Sequence, residues 1–245
     1  MIVETVYRQE RNDFDATVTP SSPADVLERL LDLTWPGTRR ARLGEWVLRT
    51  GNNQSGRANS VLACGDPGVA FEEAERLVES WAGRRMQLQA VLGSKEHRLA
   101  EVAGYSAFNP TVVMVMAARE FDGPAAVSSH EPDSAWRRIS NRSSAPFLAE
   151  FAEAPARYLR LGDEAVGRVA VFQGWGVLTN IEVRPESRGR GLGRSITRAL
   201  MTEAVHLGAR FLALQVEQDN TVARRLYKSK GFTEHHRYAY LARRG

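Results

Sequence analysis

The sequence predicts an α/β fold of the α+β kind, in which strands and helices occur in two tandem parts. Helical and strand-like apolar periodicities alternate along the chain. A run of strand patterns follows Pro155, and a glycine- and arginine-rich loop between Val183 and Arg194 joins a strand pattern to a long helical one. At 245 residues the chain is long enough for two domains.

The composition is 43% hydrophobic and 25% charged, which is ordinary for a globular protein. Because no apolar run reaches the length of a membrane span and the N-terminus is too polar for a secretory signal, we expect a soluble cytoplasmic protein. Cys64 is the only cysteine, which excludes an intramolecular disulfide and a cysteine-based metal cluster. The net charge of +4 is spread along the chain, so we do not expect a nucleic acid as a partner. We expect no membrane partner either, and the sequence does not decide whether the protein forms an oligomer.

In the first half, helix and strand patterns alternate. Leucines at helical spacing after a Ser-Ser-Pro start predict a helix over 24–33, which Trp35-Pro36-Gly37 ends. The same periodicities predict strands over 45–49 and 59–63 joined as a hairpin, a helix over 71–81, a strand over 86–92, a short helix ending at Ala103 and a strand over 111–117. These elements form the first predicted domain, residues 1–120.

Residues 121–144 show little periodicity and predict a linker with a short helix around Trp136 and Ile139. The second predicted domain, 145–245, is dominated by strand patterns. Its elements are strands over 157–161, 167–172 and 176–183, a helix over 191–207, a strand over 211–216, a helix over 221–230 and a strand over 238–242. Gly208 ends the long helix, and Asp219 or Asn220 caps the next one.

The loop V-R-P-E-S-R-G-R-G-L-G-R has the features of a pyrophosphate site. Its glycines lack a β-carbon, so the backbone can turn sharply and approach an anion closely. The N–H groups that open the next helix have no intrahelical partner and lie at the positive end of its dipole. Arginine guanidinium groups add donors that suit phosphate oxygens. The residues concerned are Gly189, Gly191, Gly193, Arg188, Arg190 and Arg194.

Two motifs in the second half resemble those of the GNAT acetyltransferase superfamily. They are R-x-x-G-x-G at Arg188–Gly193, preceded by the strand I-E-V, and N-T-V-A-R-R-L-Y-K-S-K-G-F at Asn220–Phe232. A glycine motif alone is weak evidence, but two motifs in the right order, separated by a helix and a strand, are specific. The resemblance covers residues 128–245 and implies the GNAT fold, which is a mixed, mostly antiparallel sheet with flanking helices, and acetyl-CoA as cofactor.

The resemblance also implies how the cofactor binds. A backbone strand would pair with the pantetheine arm, and the N–H groups of the glycine loop would hold the pyrophosphate. The strands over 176–183 and 211–216 would splay apart and leave a slot for the acyl chain. The implied cofactor-binding residues are Ile181, Glu182, Val183, Arg188, Gly189, Arg190, Gly191, Leu192, Gly193, Arg194, Asn220 and Tyr227.

The activity that the resemblance implies is transfer of an acetyl group from acetyl-CoA to a primary amine, by direct attack in a ternary complex. Tyr227 is the implied catalytic residue and protonates the leaving thiolate, while a backbone N–H, expected to be that of Val183, polarises the thioester carbonyl. No metal is required. The acceptor, a small molecule or a protein amino group, is not specified. A non-catalytic acyl-CoA-binding sensor or assembly module is the alternative.

The general base is left open. Gln215 stands where related enzymes often have a glutamate, and an amide cannot accept a proton near neutral pH. Glu217, Glu182 or a chain of water molecules could take this role, since strand alternation decides which carboxylate faces the slot.

The first half has no R-x-x-G-x-G motif, yet its order of elements is similar to that of the second half. It is either a degenerate GNAT-like repeat or an unrelated α/β domain. Polar residues in its predicted hairpin either help to recognise the acceptor in an interdomain cleft or only close the hairpin turn. They are Arg49, Asn52, Arg57 and Asn59.

Two further features have structural interpretations. His235 and His236 are adjacent in a strand pattern, so we expect their rings on opposite faces and no shared metal. Trp46, Trp81 and Trp175 are expected in the core, although Trp175 begins the cofactor strand and could border the acceptor site.

Overall fold

The computed structural model describes residues 1–51, 55–141, 144–149 and 154–243, and their strands form one 12-stranded sheet. The strands are β1 (Ile2–Glu4), β2 (Arg39–Leu43), β3 (Trp46–Thr50), β4 (Val61–Leu62), β5 (Leu88–Val91), β6 (Tyr105–Ala117), β7 (Val127–Ser129), β8 (Ala156–Leu161), β9 (Ala165–Phe172), β10 (Trp175–Val183), β11 (Phe211–Glu217) and β12 (Thr233–Arg243). The helices are α1 (Tyr7–Asp13), α2 (Ala24–Asp32), α3 (Phe71–Ala82), α4 (Lys95–Val102), α5 (Ser134–Ile139), α6 (Ala145–Ala149), α7 (Leu192–His206) and α8 (Thr221–Lys228).

The sheet is mixed and mostly antiparallel, as predicted. Its strand order is β1-β2-β3-β4-β5-β12-β6-β11-β10-β9-β8-β7. The β4–β5 and β10–β11 pairs are parallel, and the other pairs of described strands are antiparallel. The predicted α/β class with a mixed, mostly antiparallel sheet and flanking helices is therefore confirmed.

The topology is symmetric about the central pair of strands, β12 and β6. The last strand of the second half, β12, lies beside β5 of the first half, and β6 lies beside β11 of the second. Each half therefore completes the sheet of the other. This arrangement is compatible with a repeat, but the division into domains over 1–120 and 145–245, with a linker over 121–144, stays a prediction.

Most predicted elements are found within a few residues of their expected bounds, including α2, α3, α7 and β9. The hairpin over 45–63 is only partly correct. Strand β3 pairs along its length with β2, and its one register partner in β4 is the Val47–Leu62 pair. A 3-10 turn at Arg57–Asn59 occupies residues predicted as strand.

The sequence patterns did not predict β1, β2, β7, α1 or α6. The strand β2 reads R-R-A-R-L, and its charged residues hide the apolar alternation of a strand. The central strands β6 and β12 also begin earlier than predicted, at Tyr105 and Thr233, because they pair with each other over almost their whole length.

Alternate residues of β11 pack into two cores on opposite faces of the sheet. Leu212, Leu214 and Val216 belong to the core that includes α7 and α8. Ala213 belongs to the core that includes α2 and α5. By alternation, Gln215 and Glu217 lie on the α2 face.

The tryptophans named in the sequence analysis are structural. Trp175 is 0% exposed, donates its indole N–H to the Val18 carbonyl at 2.9 Å and packs on Phe211. Trp46 is buried against Phe71, and the partly buried Trp81 stacks under Arg39. The expectation of a core role is confirmed for Trp46 and Trp175.

A buried network of charges joins α2 to the first half of the sheet. Asp32 bonds Arg40 Nη2 at 2.6 Å and Arg49 Nη1 at 2.7 Å. Arg49 also donates to Ser60 and to Gln89. Burial by itself raises the pKa of Asp32, but the charges of Arg40 and Arg49 outweigh it and lower the pKa from 3.8 to about 2.

The expectation that His235 and His236 lie on opposite faces is wrong. A register shift between Glu234 and His236 interrupts the alternation and brings their Nδ1 atoms to 2.7 Å. His236 Nε2 lies 2.9 Å from Glu28 Oε1, and His235 Nε2 lies 3.1 Å from the Ser22 carbonyl. Among the described residues, no three His, Cys, Asp or Glu side chains converge as a metal site.

We expect the substitution Asp32→Asn to lower the free energy of unfolding by about 3–5 kcal/mol at pH 7, because it leaves two buried guanidinium groups without their carboxylate. The pKa of Asp32 is depressed in the folded state, so its contribution is complete above pH 4 and is lost as the pH falls from about 4 to about 2. Urea unfolding at pH 7 and at pH 3 measures both effects.

Asp163→Asn is the matched control, since Asp163 is exposed. Its stability should stay within about 0.5 kcal/mol of the unsubstituted protein. An equally small loss for Asp32→Asn at pH 7 would contradict the structural role of the network.

Candidate active site

The two parallel strands β10 and β11 separate before they end. They pair from Trp175–Phe211 to Leu178–Leu214 and not beyond. On the other edge of β10, Thr179 pairs with Arg168 and Glu182 with Val166, so Asn180 and Ile181 form a bulge. Asn180 has a φ of 51°, a left-handed conformation that is uncommon for a residue other than glycine. The predicted splay of these strands is therefore present in the structure.

Two cavities meet where the strands separate. One, of about 340 Å³, is lined by Ile181, Asn220 and Tyr227 and borders α8. The other, of about 590 Å³, is lined by Trp35, Arg57 and Tyr240 and lies between the two halves. The residues common to both linings are Leu178, Thr179, Asn180, Gln215 and Glu217. We call the cavity of about 340 Å³ the α8 cavity and the cavity of about 590 Å³ the central cavity. A group placed in the gap is reachable from both.

The glycine loop has an open backbone. Gly189 and Gly191 have φ angles of 77° and 81°, and a β-carbon on either would meet no atom within 4 Å. Helix α7 begins at Leu192 without a side-chain cap, and the Ser195 N–H donates to the Gly191 carbonyl. The N–H groups of the first turn before Ser195 therefore have no intrahelical acceptor. This end of the helix is arranged to receive an anion.

Positive charge accumulates around this loop. Arg188 and Arg194 are exposed, and Arg190 forms an ion pair with Glu164. The pKa of Lys230 is lowered, first by its partial burial and then by the charges of Arg194 and Arg198. The crowding of like charges would be relieved by a bound polyanion.

Tyr227 and Asn220 are fixed on α8. Tyr227 is 8% exposed, and burial raises the pKa of its phenol to about 12. Its hydroxyl makes no hydrogen bond to any described residue, and its ring packs against Phe232. The Asn220 Oδ1 accepts the Ala223 N–H at 3.0 Å and so caps the helix. The prediction that Asn220 or Asp219 is the cap is resolved in favour of Asn220.

The three residues considered for the general base have different surroundings. Both carboxylate oxygens of Glu182 are occupied, by the Ser140 hydroxyl at 2.9 Å and the Asn141 N–H at 2.8 Å. Gln215 accepts a hydrogen bond from Arg57. Glu217 is exposed, lines both cavities and makes no hydrogen bond to a described side chain. Glu217 is the carboxylate of this group that is available at the gap.

The hairpin residues of the first half have separate roles. Arg49 belongs to the buried charge network and does not line the central cavity. The Asn59 side chain accepts the Gly51 N–H and bonds Arg84, which closes the hairpin loop. Arg57 lines the central cavity. Asn52 lies outside the described residues.

The sequence analysis did not single out the other residues of the central cavity. They come from separate parts of the chain and include Trp35, Gln87, Phe108, Thr111, Tyr238 and Tyr240. The two-residue spacing of Tyr238 and Tyr240 on a strand indicated a shared face, but nothing in the sequence placed that face beside residues of the first half.

Comparisons with known proteins show a family and relatives that match most of the chain. The family model described as "Probable histone acetyltransferase Rv0428c C-terminal" matches residues 24–241. The Bacillus subtilis (strain 168) protein named "Uncharacterized N-acetyltransferase YobR" is 28% identical over 240 residues, which cover 86% of this chain and 96% of that protein. A protein of Tsukamurella paurometabola named "Mycothiol acetyltransferase" is 26% identical over 234 residues, covering 84% of this chain and 75% of that protein.

The fold is also found among solved structures. The "GCN5-related N-acetyltransferase from Kribbella flavida" superposes with a TM-score of 0.64 at 16% identity, over 92% of this chain and 97% of that one. This similarity shows the fold. No described helix combines the length and the apolar character that crossing a membrane requires.

Proposed function

The chain belongs to the family of the Rv0428c C-terminal acetyltransferases, within the GNAT superfamily, and from this premise we propose that it transfers an acetyl group from acetyl-CoA to a primary amine in a ternary complex. Its relatives and its fold identify the protein as an acyltransferase of the N-acetyltransferase type. The observation that carries the finer proposal is the gap between β10 and β11, which joins the α8 cavity to the central cavity.

The residues beside α7 and α8 fit acetyl-CoA. The open backbone at Gly189 and Gly191, with the first turn of α7, supplies N–H groups for the pyrophosphate. Arg188 and Arg194 add charge, and Asn220 keeps its amide N–H₂ for the ligand while its oxygen caps α8. The β10 backbone at Ile181–Val183 would take the pantetheine arm. Bound acetyl-CoA supplies the thioester.

The two cavities suggest two separate routes to the gap. The cofactor occupies the α8 side, and the acceptor amine enters from the central cavity. Gln215 and Glu217, on the α2 face of β11, are presented to the amine. Because both substrates are held at one point, much of the rate enhancement comes from alignment.

The proton transfers follow from the side chains at the gap. Glu217, directly or through water, accepts a proton from the amine as the new N–C bond forms. A β10 backbone N–H, either that of Val183 or one freed in the bulge at Asn180 and Ile181, donates to the carbonyl oxygen as it gains negative charge. As the C–S bond breaks, the Tyr227 phenol donates its proton to the sulfur. Its raised pKa keeps this proton in place at neutral pH.

The acceptor does not follow from family membership. The family description names histones, while the name of one relative refers to mycothiol. A non-catalytic acyl-CoA sensor is the second candidate, and the absence of a carboxylate at Gln215 favours it. If the protein binds acetyl-CoA but releases no thiol with any amine of a broad panel, the sensor function is correct.

We expect acetyl-CoA at a hundred times its dissociation constant to stabilise the native state by about 2.7 kcal/mol, which raises the melting temperature by about 5–10 °C for a chain of this size. Differential scanning fluorimetry with a concentration series measures this shift. The double substitution Arg188→Gln and Arg194→Gln should reduce it, whereas Arg85→Gln, at an exposed site in the first half, should not. No shift at saturating ligand would refute the cofactor assignment.

We expect Tyr227→Phe to lower kcat by about 100-fold or more, because the leaving thiolate loses its proton donor. A phenol with a pKa of about 12 stays protonated from pH 6 to pH 10, so the deficit should be constant over that range. Thiol release under saturating acetyl-CoA measures kcat. Tyr105→Phe, in the first half, is the control, and equal rates for the two variants would argue against the acid role.

We expect Glu217→Gln to lower kcat/KM by about 100-fold near pH 7, and the loss to shrink above the pKa of the acceptor amine, where the free base is already present. The profile of kcat/KM against pH measures both parts. Glu120→Gln removes an exposed carboxylate elsewhere and should have no effect. A pH-independent loss would instead indicate that Glu217 acts by binding.

A further inference from the structure

The central cavity contains a buried cation that forms no salt bridge with any described carboxylate. Arg57 is 6% exposed, and its Nη1 donates to Gln215 Oε1 at 2.5 Å. Its Nε is buried without a hydrogen-bond partner. The buried Arg40 and Arg49 differ, because each bonds a carboxylate oxygen of Asp32.

Solvation explains why this difference matters. A guanidinium removed from water needs an anion, or several well-placed acceptors, to replace the lost hydration. One neutral amide oxygen supplies a single hydrogen bond. Burial lowers the pKa of Arg57, but the acidic groups around it, Tyr238, Glu28, Tyr240 and Asp32, raise it overall, so the side chain stays charged.

Further polar atoms without partners lie between Arg57 and the gap. Asn180 is 8% exposed, and both polar atoms of its side chain lack hydrogen-bond partners. Gln215 Nε2 and Thr179 Oγ1 are also buried and unpartnered. All of these residues line both cavities. Because Gln215 Oε1 is engaged by Arg57, its N–H₂ group is the part that remains for a ligand.

The unpartnered atoms divide into two chemical kinds. Arg57 Nε, Gln215 Nε2 and Asn180 Nδ2 are donors and match the oxygens of an anion. Asn180 Oδ1 is an acceptor, and the Thr179 hydroxyl can accept as well as donate, so both match the hydrogens of an amine. Arg57 is hydrogen-bonded to Gln215, which itself borders the gap, so an anion bound there lies close to the reacting amine. A volume of about 590 Å³ is in the range of small-molecule sites.

We propose that the acceptor is a small amine that carries a carboxylate a few atoms from the reacting nitrogen, as an α-amino acid does, and that Arg57 binds this carboxylate. The proposal rests on the acetyl-transfer function and names its acceptor class. Arg57 is thus a specificity-determining residue contributed by the first half to the site of the second. Gln215 holds the guanidinium beside the gap, which gives the amide a role other than that of a base.

The test compares acceptors that differ only in the anion. Thiol release is measured for α-amino acids, for their amides and for the corresponding decarboxylated amines, with kcat/KM referred to the unprotonated amine. Amines that carry a phosphate form a separate arm, because a guanidinium also binds phosphate. We expect the carboxylate-bearing amines to be preferred by about 10- to 100-fold, the effect of a hydrogen bond between charged groups.

Variants identify the residue responsible. Arg57→Gln should remove the preference, chiefly by raising KM for the amines that carry a carboxylate. Arg57→Lys should keep part of the preference, because the charge remains. Arg85→Gln is the control for loss of an arginine at an exposed site. Circular dichroism of each variant checks the fold, and the comparison of acceptors on the unsubstituted enzyme needs no variant.

The outcomes separate this proposal from the proposed function. Equal or faster transfer to neutral amines, or a preference for phosphates alone, overturns the carboxylate assignment while acetyl transfer stands. If acetyl-CoA fails to bind, the proposed function fails. In that case ligand-observed NMR still measures whether amino acids bind the unsubstituted protein and fail to bind the Arg57→Gln variant. If the two proteins bind amino acids equally, the assignment of Arg57 as the carboxylate-binding residue is overturned.

Discussion

The pairing of β6 with β12 is the constraint on which the rest of the molecule depends. These two strands run side by side from Thr233–Val115 to Arg243–Tyr105 at the centre of the sheet. Each also pairs with a strand of the other half, β6 with β11 and β12 with β5. The halves are therefore continuous through backbone hydrogen bonds, and the walls of the central cavity come from both. A site made this way requires the whole chain.

The departure of Gln215 from the usual glutamate makes sense in this setting. A carboxylate next to the buried Arg57 would neutralise it, and the guanidinium would then have no free charge for a ligand. An amide fixes the guanidinium through one oxygen and leaves the charge unmatched. Glu217, two residues further along the same face of β11, keeps a carboxylate at the edge of the gap, where it is exposed to water. In the proposed mechanism, a base at Glu217 separates proton removal from the recognition of the substrate by Arg57.

The sequence predicted the elements around the glycine loop better than those around the central cavity, for a physical reason. The glycine loop, α7 and α8 are local, and their capping, glycine conformations and apolar spacing can be read from neighbouring residues. The elements β2 and the early part of β12 could not be found in this way. Arg40 in β2 is buried by pairing with Glu10 and Asp32, which lie elsewhere in the chain, and β12 is extended by its pairing with β6. The histidine pair shows the same limit, since a bulge that depends on the partner strand cancels the alternation expected from the sequence.

The first half, which has no pyrophosphate loop of its own, contains two kinds of buried charge. The Asp32 network is closed, because Arg40 and Arg49 each bond a carboxylate oxygen and the remaining donors of Arg49 meet Ser60 and Gln89. Arg57 bonds no carboxylate and its Nε has no hydrogen-bond partner, although it comes from the hairpin that also supplies Arg49. Arg49 and Arg57 are similarly buried, but only Arg49 is paired with a carboxylate, and this difference gives them different roles. The paired one holds the fold together, and the unpaired one keeps a charge that a substrate can use.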